Sequence, residues 1–347
     1  MAKQQQYKFC FGPWNISEGQ DPYGPPTRIP QSFDWKLDQL KKLGFDAMMF
    51  HDDDAVPDID AKSAAQITAE AKALKKRLND AGVKAEMVAP RLWFHPSTVD
   101  GAYTSNDAKC RKYAIERSLR AVDIANVLGT NLLVLWLARE GSYIRESKNG
   151  RRSFEFLVQA LDKMLAHDSR IRLAIEPKPN EPMDQAYIPT IGHALAIAQL
   201  TRDPKRVGCL IESAHAILAG LDPADEIDFA MLFGKLWSLH LNDQNGLKFD
   251  QDKPFGSANL RVAFNQVRAL ERNGYGRRGE YVCFDVHPFR TTKEEHWLAH
   301  LDNSRRTFQR LVEKARTFDE KKAQAFVAQR DYAALDQMAI EHLLGAA

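Results

Sequence analysis

The sequence predicts an α/β fold: a closed (β/α)8 TIM barrel followed by a C-terminal helical tail. Three observations carry that expectation. Short apolar runs alternate with longer amphipathic segments through most of the 347 residues. The runs are nearly continuous in hydrophobicity, as parallel strands buried on both faces are. Acidic and imidazole side chains recur at the C-terminal end of one run after another, where such barrels assemble their sites.

In chain order the runs are "YKFCFG" (7–12), "DAMMFH" (46–51), "KAEMVAP" (84–90), "NLLVLW" (131–136), "RLAIEP" (172–177), "VGCLIE" (207–212), "LWSLHL" (236–241) and "YVCFDV" (281–286). Helical spacing fills the gaps between them. Trp35, Leu37, Leu40 and Leu43 share one face before Gly44 stops the helix. "AAQITAEAKALKKRLNDAG" and "RKYAIERSLRAVDIANVLG" also end at glycine, and "SFEFLVQALDKMLAHD" continues the theme. Eight alternating βα units close into a barrel with right-handed crossovers. The rival, a doubly wound sheet, calls for a glycine-rich phosphate loop after its first strand, and "FGPWNISEG" is not one. The barrel is expected over 1–318. Residues 319–347 form a helical extension that caps the barrel or reaches a neighbouring subunit.

Forty-eight Lys and Arg against 46 Asp and Glu leave a net charge of +2. With no long block of one sign, nothing points to nucleic acid or an anionic membrane as partner. Cys10, Cys110, Cys209 and Cys283 form no C-x-x-C pair and read as buried thiols. "MAKQQQYKF" lacks a signal-peptide core, and no apolar run approaches the roughly 20 residues of a membrane helix. A cytoplasmic enzyme is expected.

The strand ends give the candidate chemistry. His51 and Asp54 follow the second strand, with the aspartate fixing the imidazole tautomer. Glu176, Lys178 and Glu181 follow the fifth, and Glu212 and His215 the sixth. His240 lies in the seventh, with Asp250 and Asp252 on its loop; Asp285 and His287 end the eighth. So many carboxylates at one barrel mouth repel one another unless a divalent cation keeps them ionised. Oxygen-rich ligation with one or two imidazoles favours Mg²⁺, Mn²⁺ or Co²⁺ over a structural zinc. Glu212 is placed to bridge two ions. Lys178 shares a strand face with Glu176 and suits a developing oxyanion. Trp14, Trp93 and Trp136 stand at or beyond strand ends, where indoles wall a dry sugar pocket.

These motifs resemble the D-xylose isomerase family over nearly the whole chain. The matching stretches are "FGPWN…DPYG", "FHDDD", "NDAKCRKYAIERSLRAVDIA", "IEPKPNEP", "QNGLKFDQD…FG", "FD" and "LDQMAIEHLLGA". The resemblance implies a homo-oligomeric barrel, tetramer or dimer, that isomerises a free sugar by a metal-assisted 1,2-hydride shift. It implies two divalent ions per subunit. One would take Glu176, Glu212, Asp285 and the end of the seventh strand; the other Glu212, His215, Asp250 and Asp252. It also implies that Lys178 holds O1 of the open-chain sugar and that His51, oriented by Asp54, assists ring opening. Trp14, Trp93 and Trp136 would line the pocket, Tyr23 would come from a neighbouring subunit, and Glu181 and His287 join the expected sugar contacts.

The departures are specific. An ungapped match puts His240 where the family has a metal-binding aspartate, and His287 where it has a lysine. Trp93 replaces a phenylalanine, Ala89 a threonine, and "AHAILAG" stands for "GHEQMAG". Imidazole for carboxylate makes the first ion's set softer and less suited to Mg²⁺. A gapped match would offer Asp243 instead of His240. The departures also admit an alternative reaction on the same metal site, an epimerisation or lyase-type step on a sugar derivative.

Overall fold

The computed structural model describes residues 6–345 apart from Pro22. The first five residues of the stretch read for a targeting segment, the proline of "DPYG" and the last two alanines therefore lie outside it. Eight parallel strands form a closed barrel: β1 (Lys8–Phe11), β2 (Ala47–His51), β3 (Lys84–Ala89), β4 (Leu132–Trp136), β5 (Arg172–Glu176), β6 (Val207–Glu212), β7 (Leu236–Leu241) and β8 (Tyr281–Phe284). Each pairs with its sequence neighbour, and β8 closes on β1 in the register Lys8↔Tyr281 to Phe11↔Phe284. Every strand falls within the apolar run that predicts it.

Alternation along the strands splits the core into two layers. Cys10, Ala47, Met49, Met87, Ala89, Leu132, Val134, Ala174, Leu210 and Cys283 fill the barrel interior. Outward residues such as Phe11, Phe50, Leu133, Ile175 and Leu239 pack on the surrounding helices. Those helices start and stop as their sequences require. Ser32 caps Phe33–Lys42 through the amide of Trp35, and Ser63 caps Ala64–Ala81 with a reciprocal Gln66 contact. Gly82 and Gly129 end their helices at φ +71° and +84°, where a Cβ would be strained.

One element was not legible beforehand: a two-stranded antiparallel ribbon, Gly141–Ser142 with Gln185–Ala186. It ties the loop after β4 to the loop after β5. The tail forms two helices, Glu320–Gln329 and Tyr332–Leu344, which return to their own barrel. His342 accepts from Lys314 Nζ through its carbonyl and reaches the Lys314 carbonyl with its ring. That ring packs between Phe264 and Phe318 at centroid distances of 6.0 and 5.3 Å. All four cysteines are buried and free, and among the described residues no helix is long and apolar enough to cross a membrane.

Candidate active site

The parallel strands deliver their last residues to one mouth, and the acids and imidazoles meet there. Among the described residues, three groups of ligand atoms, each within 4.8 Å of one another, could hold metal ions: Glu176, Glu212 and His215; Glu212, His240 and Asp285; Glu212, Asp250 and Asp252. Glu212 belongs to all three. It ends β6, while His215 lies three residues on in the first turn of the helix Ser213–Leu218, so both point into the same space.

Separations within the groups test whether a cation fits. His240 Nδ1 lies 3.7 Å from Glu176 Oε1, 3.9 Å from Glu212 Oε2 and 3.7 Å from Asp285 Oδ2. None is a hydrogen bond, and both ring nitrogens of this buried imidazole are without a hydrogen-bond partner. Ligand bonds of about 2.0–2.2 Å place atoms in a tetrahedral shell roughly 3.3–3.6 Å apart, close to this spacing. His215 Nε2 lies 3.2 Å from Glu212 Oε1 and 3.1 Å from Asp250 Oδ2, nearer the roughly 3 Å edge of an octahedral shell. The donors fit a divalent ion.

Electrostatics agree. Burial raises Glu212 well above the usual carboxylate range, and the charges of Asp250, Asp252 and Asp285 add to it against a pull from His240. Burial works against ionised Glu176, yet His240 and His215 bring it down to about 2. Burial likewise opposes a charged His240, but Glu176, Glu212 and Asp285 hold its proton far more tightly than usual. The cluster demands positive charge at its centre.

Neighbouring groups fix the ligands' free edges. Asp285 Oδ1 accepts from Trp14 Nε1 at 2.8 Å and Asn15 Nδ2 at 2.7 Å, which leaves Oδ2 toward His240. Asn242 Nδ2 donates to Glu212 Oε1 at 2.8 Å and to Asp252 Oδ1 at 3.0 Å. His287 Nδ1 meets Asp252 Oδ2 at 2.9 Å; burial opposes its charge, but that bond and the nearby aspartates raise it to about 9. Lys178 Nζ reaches Asp250 Oδ2 at 2.9 Å and Glu181 Oε2 at 3.2 Å. Glu181 also accepts the amide of Asp250 at 3.1 Å, so it props the loop. Both Glu181 and Asp252 hold left-handed backbone, at φ +62° and +46°, a strain that the surrounding contacts must sustain.

The aromatic wall is continuous. Trp14 packs on His51 at 4.1 Å, His51 on Trp93 at 5.2 Å, and Trp93 edge-on to Trp136 at 4.5 Å. Lys178 Nζ lies 5.1 Å over the Trp136 ring, so the wall runs to the metal cluster. His51 Nδ1 meets Asp54 Oδ2 at 2.8 Å. Arg91, which sequence reasoning missed, presses the same nitrogen and holds both Asp54 oxygens at 3.1 Å. Burial opposes charge on Asp54, but His51 and Arg91 bring it to about 2.

Two residues sit apart from the cluster. Tyr23 is 75% exposed at the rim, against Phe249 at 5.9 Å. Asp243, the gapped alternative to His240, gives Oδ2 to the amides of Ala258 and Asn259 and Oδ1 to that of Gln244. It holds its loop and belongs to none of the three groups. Asn15 closes the matched stretch "FGPWN" without an assigned role there, and Asn242 and Arg91 carry no motif of their own. Only their places beside "PW", "LHL" and "RLW" mark them.

Known proteins match at two levels. Residues 37–321 fit the family model for the xylose isomerase-like TIM barrel. The xylose isomerase of Thermus thermophilus is 36% identical over 322 residues, 91% of this chain and 81% of that protein. That of Thermus caldophilus is 34% identical over 343 residues, 96% and 87%. In fold alone, the chain resembles a D-tagatose 3-epimerase-like protein, with TM-score 0.63, 16% identity and coverage of 88% and 99%. A zinc-bound IOLI protein is similar, with TM-score 0.62, 16% identity and coverage of 89% and 99%. With matches of this extent and identity, the chain belongs to the xylose isomerase-like TIM-barrel family.

Proposed function

We propose that the protein is a divalent-metal-dependent aldose–ketose isomerase acting on a free sugar. The observation that carries this reading is Glu212, shared by three ligand groups beside a lysine and an aromatic wall. Glu176, Glu212, His240 and Asp285 would hold one ion, and Glu212, His215, Asp250 and Asp252 the other. When bound, such ions polarise the carbonyl and hydroxyl oxygens of the sugar.

The chain's own groups do the rest. Lys178 is buried, and although burial opposes its charge, Asp250 and Glu181 keep it protonated. It donates to the oxygen on C1 as charge develops there. His51, held by Asp54, moves a proton at the ring oxygen during opening. Trp14, Trp93 and Trp136 stack on the apolar face of the sugar and exclude water. Among the described residues, most acids and imidazoles at the mouth are tied to a neighbour or assigned to an ion, so the site is poor in free bases. That favours hydride transfer between adjacent carbons over proton abstraction.

A second reading, epimerisation or a lyase-type step on a sugar derivative, rests on His287. It stands where a lysine is expected and keeps its ring 35% exposed. One experiment separates the two. Protein loaded with Mn²⁺ is incubated in D₂O with a panel of pentoses and hexoses. A ketose free of carbon-bound deuterium supports the isomerase. Deuterium incorporation, an epimer without ketose, or no turnover of any sugar defeats it. Exposed Tyr23 and Phe249 at the rim support a homo-oligomer in which a second copy covers the mouth.

A further inference from the structure

Below the metal cluster, the barrel floor holds a carboxyl group that the proposed reaction does not use. Two strands on opposite sides of the barrel each carry one extra residue. Between β2 and β3 the register runs from Met48↔Ala85 to Phe50↔Val88, and between β6 and β7 from Cys209↔Leu236 to Leu210↔Ser238. Such bulges re-aim side chains. In β3, Ala85 and Val88 face outward into the helix layer and Met87 faces the interior. The extra residue turns Glu86 inward as well.

Inside, Glu86 reaches β7. It is 7% exposed, and its carboxyl interacts with Ser238 and lies within the field of His240. Ser238 and His240 are two apart on the inward face of β7, so Glu86 lies one layer below the imidazole. Glu86 Oε2 and His240 Nε2 are both buried without a hydrogen-bond partner, as is Nε of Arg172, whose charge also acts on Glu86. A neutral imidazole has one donor and one acceptor nitrogen. If Nδ1 gives its lone pair to an ion held by the carboxylates above, the proton sits on Nε2 and needs an acceptor below.

We propose that Glu86 is a positioning residue: its carboxylate takes the Nε2–H of His240, directly or through one buried water, and so keeps the Nδ1 lone pair free for an ion held by the carboxylates above. This rests on the reading of His240 as a ligand. Metal-binding histidines commonly hand their second N–H to a carboxylate, which fixes tautomer and ring orientation. Here the chain that has an imidazole at the end of β7 also has an acid beneath it.

Calorimetric titration of the full chain with Mn²⁺ at pH 8 tests this, alongside ¹H and ¹⁵N shifts of the His240 ring in the protein loaded with diamagnetic Zn²⁺. Glu86→Gln is expected to weaken the site containing His240 roughly tenfold and Glu86→Met up to about a hundredfold. His240→Ala should weaken it at least as much, and His240→Ala with Glu86→Met no further than His240→Ala alone. The Nε2–H proton should resonate far downfield in the parent, as one bonded to a carboxylate, and move upfield in Glu86→Gln. If His240→Ala weakens binding but both Glu86 variants stay within twofold, the role of Glu86 falls and His240 stands as a ligand. If the two effects add, Glu86 acts by a separate route and the proposal also falls. If His240→Ala leaves Mn²⁺ affinity unchanged, the ligand reading fails, and this inference with it. Should Glu86→Met not fold, the near-isosteric Glu86→Gln with its ring shifts decides alone.

Discussion

His240 Nδ1 stands 3.7 Å from Asp285 Oδ2, too far for a hydrogen bond and at the spacing of two ligands on one ion. The identity of residue 240 therefore bears on which ion is preferred. Imidazole favours Mn²⁺ and Co²⁺, whereas a carboxylate suits Mg²⁺. His240→Asp should raise the affinity for Mg²⁺ relative to Co²⁺ by about tenfold, read as the ratio of Kd values from paired calorimetric titrations. An unchanged ratio would mean that His240 does not touch the ion.

Glu212 gives a sharper test because it belongs to every ligand group. Glu176→Gln should cost one ion and Asp250→Asn the other. Glu212→Gln should cost both, with activity down by roughly a thousandfold or more, the scale set by lost charge stabilisation. The metal-free protein should respond in the opposite direction. Burial and three nearby aspartates disfavour ionised Glu212, so the neutral variant should melt no lower than the parent. Metal stoichiometry by elemental analysis and a thermal melt with chelator check the pair. Retention of one full ion by Glu212→Gln contradicts the bridge.

Lys178 lies between Asp250 Oδ2 at 2.9 Å and the face of Trp136 at 5.1 Å. Its charge is assigned to the C1 oxygen, so Lys178→Met should lower kcat by about 10²–10³ while KM changes much less. Steady-state kinetics on whichever sugar is turned over would show it. A rise in KM alone would reduce the lysine to a binding contact.

How far the sequence foretold this site depends on the range over which each contact forms. The strands were legible because continuous apolar runs need no partner to be recognised. Glu176, Glu212, His240 and Asp285 were legible because strand ends meet once the barrel closes. What was hidden depends on chain segments far apart or on a slipped register. Trp14 looked like pocket wall, yet it also donates to Asp285, 271 residues away. Arg91 reaches back 40 residues to His51. Glu181, a candidate sugar contact, also braces Lys178 and, across 69 residues, Asp250. The turn of Glu86 into the barrel follows from one extra residue in β3, and period-2 alternation alone would have pointed it the other way.

The last prediction concerns acid stability and begins behind the site. His300 is buried, and its Nε2 meets the Asn15 carbonyl at 2.8 Å; Asn15 in turn donates to Asp285. Burial, with the charges of His287 and Arg28 nearby, depresses His300 from 6.5 to about 3, against weaker pulls from backbone contacts. The folded chain thus keeps this ring neutral, while the unfolded chain protonates it below 6.5. The stability is present above pH 6.5 and is lost as pH falls toward 3. A shift of this size corresponds to a few kcal/mol, on the order of 1.4 per unit. Urea unfolding of the parent should lose stability across that window with a contribution of about one proton from His300. His300→Gln keeps a donor for Asn15 and removes the titration, so its curve should be flatter by that proton. Parallel pH profiles for the two proteins would show that His300 does not set the acid limit of the Asn15–Asp285 support.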